Sequence, residues 1–209
     1  MRGLNLKGER GAAALVIALI LIPLLIAVMA GSVSMVCSVT SSDIDLQEAA
    51  AFAAKAAATM VGPGSQAAGA PRIRAADAHQ AFRRVLADNL GLDPSTMSGL
   101  SGSFFAGAVR YWLVVYNGDD QFASEGAVGA RLYWFDGSAV TETGLSYSGF
   151  PAAFAVGPAG ITQGAGGVYS VELDSPGVVA LVEADVKRVA GDVPMRVQRW
   201  AAARVVVKR

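Results

Sequence analysis

The sequence predicts an α+β protein, with a long N-terminal transmembrane helix, a second amphipathic helix and then a small antiparallel β-sheet domain. Three observations carry that expectation. Residues Ala12–Ala30 form an unbroken apolar run of nineteen residues, AAALVIALILIPLLIAVMA. Alanine dominates from Ala49 to Ala58, and neither Gly nor Pro interrupts the chain between Gly31 and Gly62. From about Val109 onward the apolar period changes to two, which is the period of strands.

As a helix the apolar run is ~28 Å long, about the thickness of a bilayer's hydrocarbon core. No charged residue and no His occurs between Gly11 and Ser42. Arg2, Lys7, Glu9 and Arg10 precede the run, whereas Asp43, Asp45 and Glu48 follow it before the first base at Lys55. Basic flanks favour the cytoplasmic side. The expected localisation is therefore the cell membrane, single-pass, with the N-terminus cytoplasmic and the C-terminal domain extracytoplasmic. A cleaved secretory signal, cut after Val28-Met29-Ala30, is the rival reading, although signal apolar regions are normally shorter.

Alanine is the strongest helix former, so one helix over about Ala12–Val61 is expected, ~75 Å long if straight. Pro23 lies inside the apolar run, where it deletes a backbone hydrogen bond and favours a kink. Ala27/Gly31, Ala30/Ser34 and Ser34/Ser38 put small residues at i, i+4, a spacing that lets helices pack closely. The Ala-rich outer half is smooth enough for another helix to approach, its larger apolar side chains being Ile44, Leu46, Phe52 and Met60.

Gly62–Pro71, GPGSQAAGAP, reads as a linker. Arg72–Leu90 reads as the amphipathic helix, with an apolar stripe of Ile73, Phe82, Val85, Leu86 and Leu90 and a stop at Gly91. Residues 92–209 read as the β-rich domain. VRYWLVVYN is a strand; RLYWF and SAVTET form a hairpin around Asp136-Gly137, a pair suited to a two-residue turn. VYSVEL and VVALVEADVKRV are expected to form a second hairpin across Asp174-Ser175-Pro176-Gly177. Gly157–Gly167 reads as a loop. Val182, Ala184 and Val186 share one face of their strand, and Met195, Val197, Ala201, Ala203, Val205 and Val207 share one face of the last, interrupted by Arg199. Such strands are dry beneath and wet above, and a helix is the natural cover for the dry face.

Composition argues against several functions. The 209 residues carry 17 basic and 17 acidic side chains, too even a balance to hold nucleic acid by bulk charge. One Cys and one His supply neither an internal disulfide nor a zinc site; Cys37 reads as a small buried residue. No nucleophile motif, useful carboxylate pair or phosphate loop stands out, and Gly164-Ala165-Gly166-Gly167 lacks a strand–turn–helix context. His79 reads as a packing or surface residue. Asn117, Asp119 and Asp120 read as a turn and do not fit an EF-hand loop. The pairs Tyr111/Trp112 and Tyr133/Trp134 read as cross-strand packing. No catalytic residue, cofactor or metal site is expected, and no small-molecule substrate is evident.

Arg10-Gly11-Ala12-Ala13, Pro23-Leu24-Leu25 and Leu46-Gln47-Glu48-Ala49-Ala50 together resemble the TadE/TadG-like proteins of the tight-adherence (Flp) pilus system. The likeness covers about residues 8–60. It implies a pilin-like architecture and Gly11 and Ala12 as the prepilin-peptidase processing site. The fifth residue from Ala12 is Val16, where processed pseudopilins carry Glu, so the chain is more similar to the uncleaved TadG-like members. The implied partners are the lipid bilayer and other pilus-system membrane proteins or pilins, bound through helix packing at Ala27, Ala30, Gly31, Ser34 and Ser38, with Pro23 as the kink. The expected function is non-enzymatic pilus assembly. The alternative is an anchored extracytoplasmic module that binds a ligand or surface, unrelated to pili.

Overall fold

The computed structural model describes the backbone of residues 6–187 and 193–205; within the first helix it describes the side chains of residues 19–30 and 32, and from residue 45 onward. The elements in order are helices α1 (Leu6–Ala58), α2 (Pro63–Ala67) and α3 (Ala75–Leu90), then strands β1 (Arg110–Tyr116), β2 (Ala130–Phe135), β3 (Val140–Gly144), β4 (Ala152–Gly157), β5 (Gly160–Gln163), β6 (Tyr169–Leu173), β7 (Gly177–Val186) and β8 (Met195–Arg204).

The strands make two antiparallel sheets. One has five strands in the order β3-β2-β1-β7-β8, the other three in the order β5-β4-β6. The five-stranded sheet is the middle layer of three. Tyr111, Leu113, Val115, Val178, Ala180, Val182, Ala184, Val197 and Ala201 join one buried cluster with α1 and α3. The alternate residues Val114, Tyr116, Val179 and Leu181 join a second cluster with Phe154, Val156, Ile161 and Leu173 of the small sheet. Period two along β1 and β7 thus serves two cores at once.

α1 earns its place on the sheet through small side chains. Ala49, Ala50, Ala53, Ala54, Ala57 and Ala58 are buried together with Leu46, a stripe at helical spacing. Alanines keep the helix axis close to both β8 and α3, and Phe82 and Leu86 of α3 fill the angle between them, each wholly buried. Burying each of these two side chains is worth about 1.5–3 kcal/mol. Gly91 ends α3 in the left-handed conformation at φ 61°, its N–H bonded to the Ala87 carbonyl, as a C-terminal glycine cap does.

Several expectations are corrected. Among the described residues no helix is long and apolar enough to cross a membrane, so the transmembrane helix, and with it the single-pass membrane localisation and topology, is not retained. Leu19–Ala30 is the part of the apolar run whose side chains are described. It belongs to a 53-residue helix whose last turns are committed to the sheet. The sheet is also not wet above, because the second sheet covers it. β6 and β7 form no hairpin: β6 pairs with β4, while β7 pairs with β1 and β8. Asp174-Ser175-Pro176 instead carries the chain from one sheet to the other. The β2–β3 connection is four residues, 136–139, with the Asp136 carboxylate accepting from the Ser138 and Ala139 N–H groups. Strand β5 lies inside the stretch expected to be a loop, and one helical turn, α2, lies inside 62–71.

Candidate functional site

The described part of α1 ahead of the domain is apolar on every side. Leu19, Ile20, Leu21, Ile22, Leu24, Leu25, Ile26, Val28 and Met29 are between 48 and 68 % exposed. At 100° per residue those positions cover all but one arc of about 100°, which Pro23, Ala27 and Ala30 fill. An amphipathic helix would leave a polar face; an all-round apolar one belongs in an interior. This surface is the candidate site, and its chemistry is packing.

The expected site residues fall on this rod. Ala27 and Ala30 are exposed beside the large side chains. Gly31, Ser34 and Ser38 continue the same helix, their side-chain surroundings lying outside the described residues, as do those of Gly11, Ala12 and Cys37. Ser32 returns its hydroxyl to the Val28 carbonyl at 2.8 Å, which satisfies the polar group without a partner from elsewhere. Pro23 sits within the helix and has no N–H to offer the Leu19 carbonyl one turn back. The Ala-rich stretch expected to meet a foreign helix is occupied by the chain's own α3 and by β7 and β8.

The titratable groups that depart from ordinary behaviour are structural. His79 on α3 stacks flat on Tyr133, with ring centroids 4.3 Å apart, and its Nε2 lies 2.7 Å from the Tyr111 hydroxyl. Burial first, then the nearby Arg83 guanidinium, lowers its pKa to about 4. Burial raises both tyrosines to about 12. The trio is a neutral polar plug between α3 and the sheet; it lacks the nucleophile that hydrolytic chemistry needs.

The segment Asn117–Asp120 is a fastening. Asn117 is wholly buried and bonds Ile73 and Val128 backbone groups. Asp119 takes the Arg72 guanidinium at 2.6 Å, and that bond holds its carboxyl below the usual range. Asp120 accepts from Tyr147 and from the Gly129 N–H. Each carboxylate is thus already engaged, and among the described residues no group of His, Cys, Asp or Glu is arranged to hold a metal ion.

Three tryptophans lie in one row across four of the five strands. Trp134, Trp112, Leu181 and Trp200 are successive register partners on β2, β1, β7 and β8. Trp112 stacks on Trp134, and Tyr169 of the small sheet leans on Trp200. The row is the seam between the sheets, with Trp134 at its open end, 39 % exposed.

Sequence reasoning missed one charged cluster. Glu183 is 4 % exposed within β7, its carboxylate 2.7 Å from Arg110 and also bonded to Gln198. The signal was a glutamate set in an apolar strand and an arginine immediately before the aromatic pair Tyr111-Trp112 of another.

No family model matches the chain, and no curated protein or solved structure is significantly similar to it.

Proposed function

We propose that this chain is a non-enzymatic assembly subunit of pilin-like design, in which the apolar shaft of α1 packs among the helices of like subunits and the three-layer domain is carried on its outer end. One observation supports the reading above others: the exposure of large apolar residues around most of the helix from Leu19 to Met29. Fully burying one such side chain is worth about 1.5–3 kcal/mol. Surrounding the shaft with other helices removes that surface from water; a single flat docking face would leave most of it wet. The Pro23-Leu24-Leu25 and Leu46-Gln47-Glu48-Ala49-Ala50 segments add the resemblance to TadE/TadG-like pilus-assembly proteins.

The test is cross-linking in the native cell. Ala27→Cys, placed in a Cys37→Ser background, should give disulfide-linked species whose partner peptides map to the N-terminal helix of the same chain or of another helix-first subunit. Leu25→Glu should abolish them while the domain stays folded. Cross-links confined to unrelated partners, or a chain that remains monomeric, would refute the reading.

A further inference from the structure

The edge of the five-stranded sheet offers a second interaction site, independent of the α1 shaft. β8 is an edge strand. In an antiparallel ladder the N–H and C=O of a residue point to the same side, and the side alternates along the strand. The Val205 N–H donates to the Pro176 carbonyl on the β7 side at 2.9 Å. Odd-numbered residues therefore face β7, and Gln198, Trp200, Ala202 and Arg204 turn their backbone groups outward.

One of those outward groups is already taken in a telling way. Gln47 of α1 donates its Nε2 to the Trp200 carbonyl at 3.2 Å, as the N–H of an added strand would. Beyond it, no donor or acceptor among the described residues meets the backbone of Ala202 or Arg204. They open onto a groove of about 870 Å3 whose far wall is Lys55 in the last turn of α1, Thr59 just past its end, and the segment holding Gln66.

We propose that this groove takes an extended peptide segment of another protein, added to β8 as a sixth strand, with a carboxylate of that segment facing Lys55. Backbone pairing on an exposed edge supplies affinity, and alternate side chains supply selectivity. Charge complementarity points to an acidic segment. The Arg204 guanidinium is spent on Asp174, at 2.7 and 2.8 Å. Lys55 forms no ion pair among the described residues and rests 5.7 Å from the Phe52 ring centroid. The walls beside the strand favour a single segment over a second sheet, because two β8 edges brought together would drive the α1 ends and the 62–71 segments into each other.

The experiment uses the full chain and a synthetic octapeptide of alternating valine and serine with one aspartate. The probe should slow amide exchange at Ala202 and Arg204 by roughly tenfold or more, leaving Ala201 and Ala203 unchanged. The same peptide N-methylated at alternate residues should fail. Ala202→Pro removes an outward N–H without touching the β7 ladder, a tolerated place for Pro, and should abolish protection while tryptophan fluorescence stays native. Lys55→Glu should weaken the aspartate peptide several-fold but not its asparagine counterpart. No protection with the unmodified peptide, or equal binding by the N-methylated one, would overturn the proposal. So would protection that appears on concentrating the protein alone, which would mean that copies pair edge to edge.

Discussion

Asn117 bonds Ile73 as a neighbouring strand would. Its Oδ1 accepts from the Ile73 N–H at 2.7 Å, and its Nδ2 donates to the Ile73 carbonyl at 2.8 Å and to the Val128 carbonyl at the same distance. A side-chain amide thereby ties the segment before α3 to the end of β1, on the side of Ile73 away from its single bridge to Val61. Asn117→Ala would leave two buried backbone groups of Ile73 and the part-buried Val128 carbonyl without this partner. The expected loss is about 2–4 kcal/mol, since each orphaned buried group costs ~1–3 kcal/mol before any water enters. Asn117→Asp keeps the shape but turns a carboxylate toward two carbonyls, and should be at least as damaging. Urea unfolding checks both; a loss below ~1 kcal/mol for the alanine variant would mean that the bonds are replaceable.

His79 gives stability a specific pH dependence. Its folded pKa, about 4, lies below the ~6.5 of the unfolded chain. Between those values the unfolded state binds the proton and the folded state does not, so stability falls as pH drops from ~6.5 toward ~4 and this contribution flattens below that. The slope from this one group cannot exceed about 1.4 kcal/mol per pH unit. Asp119, Asp120 and Asp136, whose folded pKa values are lowered by hydrogen bonds, act in the opposite range: their stabilisation is present above ~4 and is lost as pH falls further. His79→Gln should flatten the upper window and leave the lower one alone. Unfolding free energy measured from pH 7 to pH 3 separates the two.

Glu183 and its two arginines should respond unequally. Arg110 approaches the buried carboxylate at 2.7 Å with its side chain 25 % exposed, whereas Arg196 stands 3.8 Å away and 59 % exposed. Arg110→Met strands a charge inside the sheet seam, at an expected cost of about 3–5 kcal/mol. Arg196→Met removes a partner that water largely screens, and should cost under ~1 kcal/mol. Adding Glu183→Gln to Arg110→Met should restore most of the loss, because the stranded charge is then gone. Chemical denaturation of the three variants tests this; equal effects of the two arginine substitutions would contradict it.

Much of the strand pattern was legible because each segment carries its own period. The inward sets Val182/Ala184/Val186 and Met195/Val197/Ala201 stand where alternation put them, and Gly91 ends its helix where a glycine should. The pairing of segments was not legible. Asp174-Ser175-Pro176-Gly177 has hairpin chemistry, yet the chain uses it to change sheets, and turn residues do not say which edge the next strand joins. The second sheet was hidden for a similar reason: GITQ at β5 is four residues set among glycines, too short for a period. One clue went unread. β7 is apolar without alternation from Val178 to Val182, and its burial is continuous there, which is the mark of a strand covered on both faces. The candidate site was legible as an apolar run, since nineteen residues in a row need no folding context. What surrounds the run is not encoded locally: bilayer, helix bundle and core helix share one composition.

Gly160 and Trp112 fix how closely the two sheets approach. Gly160 opens β5 with φ 117°, and a Cβ built there would stand 2.6 Å from the Trp112 Nε1 and 3.0 Å from its Cδ1. The indole cannot swing aside cheaply, because it is stacked on Trp134 at 6.2 Å between centroids and 12° between planes. Gly160→Ala therefore carries two penalties, about 1–3 kcal/mol of backbone strain and the displacement of a packed ring. Gly126 separates them: it has φ 84° but nothing within 4 Å of its absent Cβ, so Gly126→Ala should show strain alone, about 1 kcal/mol. If the contact with Trp112 is the second penalty, Gly160→Ala should cost roughly 1–2 kcal/mol less in a Trp112→Leu background than in the natural chain, a coupling within the range seen for residues in contact. Tryptophan emission should shift on Gly160→Ala and not on Gly126→Ala. Additive costs would mean that the sheets can separate without involving the indole, and that the small sheet is held by its buried aliphatic and Phe154 contacts.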